Sequence, residues 1–163
     1  MLTLHASCVA LAGEAVLLRG PSGAGKSDLA LRLIEDGAQL VADDQTRLRR
    51  DGAILQATAP ERLYGLLEIR GLGPVDIRTM NLMPAETARL RVIFDLLPRP
   101  EVPRLPEPRF ETLLGVTLPC LALDAFSTSA PVVVRWALRL AIAGRLFEPA
   151  EVHDMRQPLS RGA

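Results

Sequence analysis

Apolar positions change their period several times along this chain, and each change marks an element. Residues 2–12 mix small and apolar side chains, then meet Gly13-Glu14 before a second apolar run, Ala15-Val16-Leu17-Leu18. That pattern predicts a hairpin leading into a buried strand, with His5 in the first strand. After a glycine-rich stretch, Leu29, Ala30, Leu33 and Ile34 recur at helical spacing up to Gly37, a natural residue to end a helix. Gln39-Leu40-Val41-Ala42 is again a strand, and it runs into Asp43-Asp44. Residues 47–50 and 53–58 flank Asp51-Gly52, a two-residue hairpin signal, so the arginines there read as its solvated face. Leu66-Leu67-Glu68-Ile69-Arg70 forms a strand opening onto Gly71-Leu72-Gly73-Pro74, and residues 75–77 can continue as strand.

Residues 80–87 fit one helical turn beginning near Pro84. Residues 89–97 carry Leu90, Val92, Phe94 and Leu96 at period two, with Ile93 and Leu97 also apolar, which predicts a strand buried on both faces. Five prolines within residues 98–108 exclude sheet interior and predict an extended connector. Residues 118–123 read as a last strand. Ser129-Ala130-Pro131 is a helix start, and the helix runs over 132–146. Its apolar positions are Val133, Val134, Trp136, Ala137, Leu140 and Ala141, with Trp136 as a core anchor and Arg135 and Arg139 on the surface. Strands alternating with helices give an α/β domain over residues 1–148. A polar tail, 149–163, His153 included, is expected to be loose.

A chain of 163 residues, nearly half of them apolar, suits one domain with a real core. Its 19 basic and 19 acidic residues cancel, which argues against a protein that coats nucleic acid or an anionic membrane. The start, Met1-Leu2-Thr3-Leu4-His5, lacks a signal peptide's basic region, and no apolar run reaches membrane-spanning length. A cytoplasmic protein is expected. Cys8 and Cys120 are far apart without metal-ligand spacing, so they read as two buried thiols in a reducing compartment.

The chemistry concentrates in Gly20-Pro21-Ser22-Gly23-Ala24-Gly25-Lys26-Ser27, which matches the phosphate-binding loop G-x-x-x-x-G-K-[ST] at every specified position. Strand, glycine loop and helix follow one another as that motif requires. Glycines let backbone N–H groups turn toward phosphate oxygens, and the new helix adds its positive dipole end. Lys26 is the only lysine in the chain, so the single ammonium stands where the loop needs one. Asp43 and Asp44 supply carboxylates at a strand tip directly after the loop's helix, a very short crossover from Ser27. One can serve Mg²⁺ while the other takes a proton from an attacking hydroxyl, which suits transfer to an alcohol better than hydrolysis. Glu68 is a third candidate acid before a glycine loop.

With these residues in view, the chain resembles the catalytic domain of HPr kinase/phosphorylase. The matching pieces are His5, the loop from Gly20 to Ser27, Leu40-Val41-Ala42-Asp43-Asp44, and Leu67-Glu68-Ile69-Arg70-Gly71-Leu72-Gly73, which is similar to that family's signature stretch. The likeness covers residues 2–125, most clearly to residue 77. The resemblance includes no counterpart of the family's separate N-terminal domain, so it implies a short form. The resemblance implies a P-loop fold of the phosphoenolpyruvate-carboxykinase-like kind, a sheet with flanking helices. It implies ATP-dependent phosphorylation of a serine on HPr, a carrier of the bacterial sugar phosphotransferase system, with phosphorolysis as the reverse. Carried over by position, residues 20–27 hold phosphates and Lys26 acts on them. Ser27 and Glu68 ligate Mg²⁺, one of Asp43 and Asp44 is the acid/base with Asp44 preferred, and His5 faces the phosphates. Arg104 stands where the family has a catalytic arginine, although Pro106 replaces the following glycine. Asp28 replaces a glutamate after the loop serine, and residues 124–129 replace the Gly-Arg-Asn stretch associated with dephosphorylation. Long-form members assemble as hexamers, so a homo-oligomer is compatible with the resemblance. A kinase of a small metabolite and a non-catalytic ATP-sensing domain are the alternatives that the same loop allows.

Overall fold

The computed structural model describes residues 1–148, and the tail 149–163 with His153 lies outside the described residues. Eleven strands and two helices follow one another: β1 (Leu2–Leu4), β2 (Ala6–Leu11), β3 (Glu14–Arg19), α1 (Lys26–Glu35), β4 (Gln39–Ala42), β5 (Thr46–Asp51), β6 (Ile54–Thr58), β7 (Leu66–Ile69), β8 (Gly73–Asp76), β9 (Ala88–Leu96), β10 (Phe110–Leu113), β11 (Val116–Leu123) and α2 (Ala130–Ile142). The fold is mixed α/β. Nine strands make one sheet in the order β1-β5-β6-β9-β3-β2-β4, and β11, with β10 outside it, also pairs with β9. β7 and β8 pair separately as a small second sheet.

β9 organises the large sheet. It runs parallel to β3 along one edge. On the other edge its first half pairs antiparallel with β6 and its second half parallel with β11. The sheet divides there and curls, so both of its faces become core. On the helical face Val16, Leu18, Val92 and Phe94 pack with Leu29 and Leu33 of α1 and Val134 and Leu138 of α2. Inside the curl, Leu17, Leu90 and Ile93 pack with Leu48, Leu55 and Cys120. This double burial is why the sequence around β3 and β9 reads as continuous apolar runs rather than strict alternation.

Local chemistry sets the element ends. Ala12 and Gly13, at φ 51° and 80°, close the β2–β3 hairpin. α1 ends as its helical spacing predicts: Gly37, at φ 94°, donates to Ile34 O and Ala38 donates to Leu33 O, a Schellman cap. α1 also receives Arg135 of α2, whose guanidinium donates to Asp36 O at the negative end of the helix.

Several expectations shift. His5 lies at the bend between β1 and β2, where pairing passes from β5 to β3 and β4. The β5–β6 turn is Gly52-Ala53, one residue later than the Asp51-Gly52 signal, because Asp51 still pairs with Ile54. The single turn sits at Ile77–Met80, capped by Asp76 accepting from Arg78 N–H, and not at Pro84. β10 has no counterpart in the predicted elements; Leu114-Gly115, both at positive φ, turn it into β11. α2 stops at Ile142 rather than 146, with Gly144 at φ 71° after it. Trp136 is 57% exposed rather than a core anchor. The buried stripe is Ala130, Val134, Ala137 and Leu138, and Trp136 falls off it. Among the described residues, no helix is long and apolar enough to cross a membrane. Cys8 and Cys120 are both free and buried, as expected.

Candidate functional site

The loop between β3 and α1 is tight because of where its glycines sit. A Cβ on Gly20 would come within 2.8 Å of Ala24 Cβ and 3.2 Å of Leu96 O. Gly25, at φ 91°, caps α1 in the left-handed region, and a Cβ there would lie 2.9 Å from Ala125 Cβ. No side chain caps α1, so its first N–H groups stay available to an anion. Lys26 is only 8% exposed, and its Nζ donates to Gly20 O at 2.8 Å and Pro21 O at 3.0 Å. Burial pushes this ammonium below the ordinary lysine range, while Asp44 and Asp43 pull it back up.

The two aspartates leave β4 in opposite directions. Gln45 N–H donates to Asp43 O at 2.8 Å across Asp44, whose φ is 66°. This three-residue turn, an uncommon conformation for a residue with a Cβ, turns Asp43 inward and Asp44 outward. Asp43 is 4% exposed and accepts three kinds of donor. Ser7 Oγ reaches it at 2.6 Å, Ser27 Oγ at 2.9 and 3.0 Å, and the Glu68 N–H at 3.0 Å. One buried carboxylate therefore ties together β2, the start of α1 and β7. Asp44 is exposed and pairs with His5 Nδ1 at 3.1 Å.

These groups border a cavity of about 300 Å³. Of the residues singled out from sequence, it is lined by His5, Ser22, Gly23, Gly25, Lys26, Ser27, Asp44 and Glu68. Gly20, Pro21 and Ala24 form the back of the loop, and Asp43 sits beneath it. Arg104 is exposed on the proline-rich connector and is not brought to this cavity. Glu68 is exposed, and among the described residues it forms no ion pair with Arg70. Sequence reasoning passed over Ser7, a polar residue inside an apolar strand, and Phe126, an exposed ring on the cavity wall.

Among the described residues, no three His, Cys, Asp or Glu side chains converge as a metal cage. The donor set instead fits a magnesium ion held by a hydroxyl and one or two carboxylates, with phosphates and water completing the shell. Chemically, the cavity offers an anion cradle, one ammonium, a buried carboxylate locked by hydrogen bonds and an exposed carboxylate beside an imidazole.

A family model, the HPr serine kinase C-terminal domain, matches residues 1–122. The chain is 39% identical over 150 residues to an HPr kinase/phosphorylase of Burkholderia lata, covering 86% of this chain and 46% of that one. It is 45% identical over 78 residues to one of Exiguobacterium sibiricum, covering 47% of this chain and 25% of that protein. The chain thus spans less than half the length of these curated relatives. The solved HPr(Ser) kinase/phosphatase from Coxiella burnetii superposes with a TM-score of 0.77 at 26% identity, covering 88% of this chain and 94% of that one.

Proposed function

This chain belongs to the HPr serine kinase C-terminal domain family, and on that premise we propose that it transfers the γ-phosphoryl group of ATP to a serine hydroxyl of an HPr-type phosphocarrier protein. In this reading the β3–α1 connection is a phosphate-binding P-loop on a phosphoenolpyruvate-carboxykinase-like sheet. Backbone N–H groups of residues 22–27 cradle the phosphates, and Lys26 places its ammonium on the β- and γ-oxygens. Asp44 is the base. It accepts the serine proton as the serine oxygen bonds to phosphorus and the bond to the ADP oxygen breaks. His5, paired with Asp44, holds that carboxylate toward the cavity. Asp43 accepts from its three donors and fixes the Ser27 hydroxyl. Ser27 and Glu68 would hold Mg²⁺, which supplies neutralisation of phosphate charge when bound. The reaction assigns Arg104 no step.

The observation that carries this reading is the division of labour between adjacent carboxylates: Asp43 is locked to Ser27 while Asp44 opens to the cavity. A hydrolase would need only a positioned water. An exposed base beside a phosphoryl donor suits an incoming alcohol. For phosphorolysis, a separate reaction that the same site could run, this carboxyl would protonate the departing serine oxygen as inorganic phosphate bonds to the phosphoserine phosphorus, the serine O–P bond breaks and pyrophosphate forms. The test mixes the chain with ATP, Mg²⁺ and an HPr-type carrier and follows phosphoserine by mass spectrometry. Phosphoserine on the carrier supports the proposal. Turnover only with small alcohols, or ATP binding without turnover, rejects it in favour of a metabolite kinase or a sensing domain.

A further inference from the structure

The cavity is chemically unlike at its two sides. Asp43 approaches the start of α1 from the Ser27 side, where it accepts from Ser27 Oγ. The loop after β11 approaches from the Asp28–Arg32 side and presents Phe126, which lines the same cavity with Leu31. Phe126 is 67% exposed, yet its position is tightly built. Arg32 donates to Ala125 O and, at 3.2 Å, to Ser127 O, so it grips the backbone on both sides of the ring. Arg32 is itself oriented by Asp28 at 3.0 Å, and the Phe126 N–H donates to Asp124 Oδ1 at 3.0 Å. The ring edge rests on the glycine loop, since a Cβ on Gly25 would lie 3.1 Å from Phe126 Cζ. The backbone under the ring is thus held from both sides, while the ring itself lies bare on the cavity wall.

We propose that Phe126 is the platform on which the nucleotide base stacks. This rests on the phosphoryl-transfer reading above, which puts the terminal phosphoryl at Asp44. The base end of the nucleotide then extends from the loop along the cavity wall, where Phe126 offers an apolar surface. Stacking uses the ring face and no base-edge hydrogen bond, so it adds affinity for purines in general. Leu31 borders the base, and the Arg32 clamp keeps the platform preorganised.

Calorimetric titration with Mg-ADP and, separately, Mg-pyrophosphate tests this in the wild-type chain, Phe126→Ala and Phe126→Tyr. Phe126→Ala is expected to weaken ADP by about five- to hundredfold, the range for loss of one base–aromatic stack. Pyrophosphate, which has no base, stays within about twofold of wild type, and Phe126→Tyr keeps ADP affinity because the ring face is retained. The high exposure of the ring lets the alanine variant fold, and unchanged pyrophosphate binding reports that the loop is intact. If Phe126→Ala binds ADP like wild type, the ring serves something else, such as the protein partner, and the proposal fails. If ADP and pyrophosphate weaken together, the ring only packs the loop, and the proposal fails as well. A wild-type chain that binds neither compound would instead overturn the phosphoryl-transfer reading itself, and this inference with it.

Discussion

Asp43 and Asp44 are chemically identical and adjacent, and the turn between them decides what each can do. Asp43 is buried with Ser7, Ser27 and the Glu68 N–H as donors. Removing its charge by Asp43→Asn disturbs the loop serine and should raise KM for Mg-ATP as well as lower kcat. If Asp44 is the base, as proposed, Asp44→Asn should lower kcat at least about a hundredfold while KM for ATP rises less than in Asp43→Asn, and steady-state kinetics separates the two. Ser7 acts through Asp43. Ser7→Ala removes one donor to a buried carboxylate and should destabilise the fold by about 1.5–3 kcal/mol, measured by urea denaturation. The motif and the acid pair were legible in the sequence because their residue types and spacing are themselves the signal. Which aspartate points inward was not, because that depends on the left-handed φ of Asp44 and on a serine 36 positions upstream of Asp43. Arg104 shows the reverse case: a motif position suggests a role, and the connector holds the side chain in solvent.

At the scale of elements, legibility followed how many faces each one buries. β3, α1, β4 and β9 were readable because continuous or periodic apolar runs leave a single solution. α2 is amphipathic, with Arg135 and Arg139 marking its polar side, yet the size of Trp136 suggests a core anchor where its position beside those arginines does not. The choice is made by packing of Val134 and Leu138 against the sheet core and by Arg135 docking on the end of α1. Trp136 consequently lies outside, with Arg139 over its ring at 5.7 Å from the centroid. Trp136→Gln should therefore change stability by no more than about 0.5 kcal/mol in chemical denaturation, far from the several kcal/mol of a core tryptophan. Gly25 is the opposite case. Gly25→Ala places a Cβ 2.9 Å from Ala125 Cβ at a backbone φ of 91°. The left-handed conformation alone costs roughly 1–2 kcal/mol. A lowered thermal midpoint together with weakened ADP binding is expected, because both Ala125 and the Phe126 ring must move.

For the molecule as a whole, the parallel β3–β9 pair is the spine from which the loop, the acids and both cores are hung, and carboxylates lock it at each end. At its start Glu14 accepts from Arg91, one Oε at 2.8 Å from Nη2, both about one-fifth exposed. At its end Asp95 pairs with Arg19 at 2.8 Å and also takes Arg109 and, at 3.3 Å, Cys120 Sγ. Arg19 reaches further to Glu111 at 2.7 Å, joining β10 to the spine. The hydrogen bond from Arg91 holds the Glu14 carboxyl below its ordinary value of 4.5, although burial opposes it. For Asp95, burial pushes upward, but Arg19, Cys120 and Arg109 together leave it below its ordinary 3.8. Both carboxyls are therefore more acidic folded than unfolded, and the unfolded chain binds their protons first as pH falls. Their stabilisation is fully present above about pH 4.5 and is lost as pH drops through the folded values, so the wild-type stability curve should bend downward in that window. Glu14→Gln and Asp95→Asn should each be less stable than wild type near neutrality and should lose less stability on acidification. Their unfolding free energies then converge on the wild-type curve as pH falls. Urea midpoints measured across that window check this, and a variant running parallel to wild type at every pH would place the acid sensitivity away from the ends of the spine.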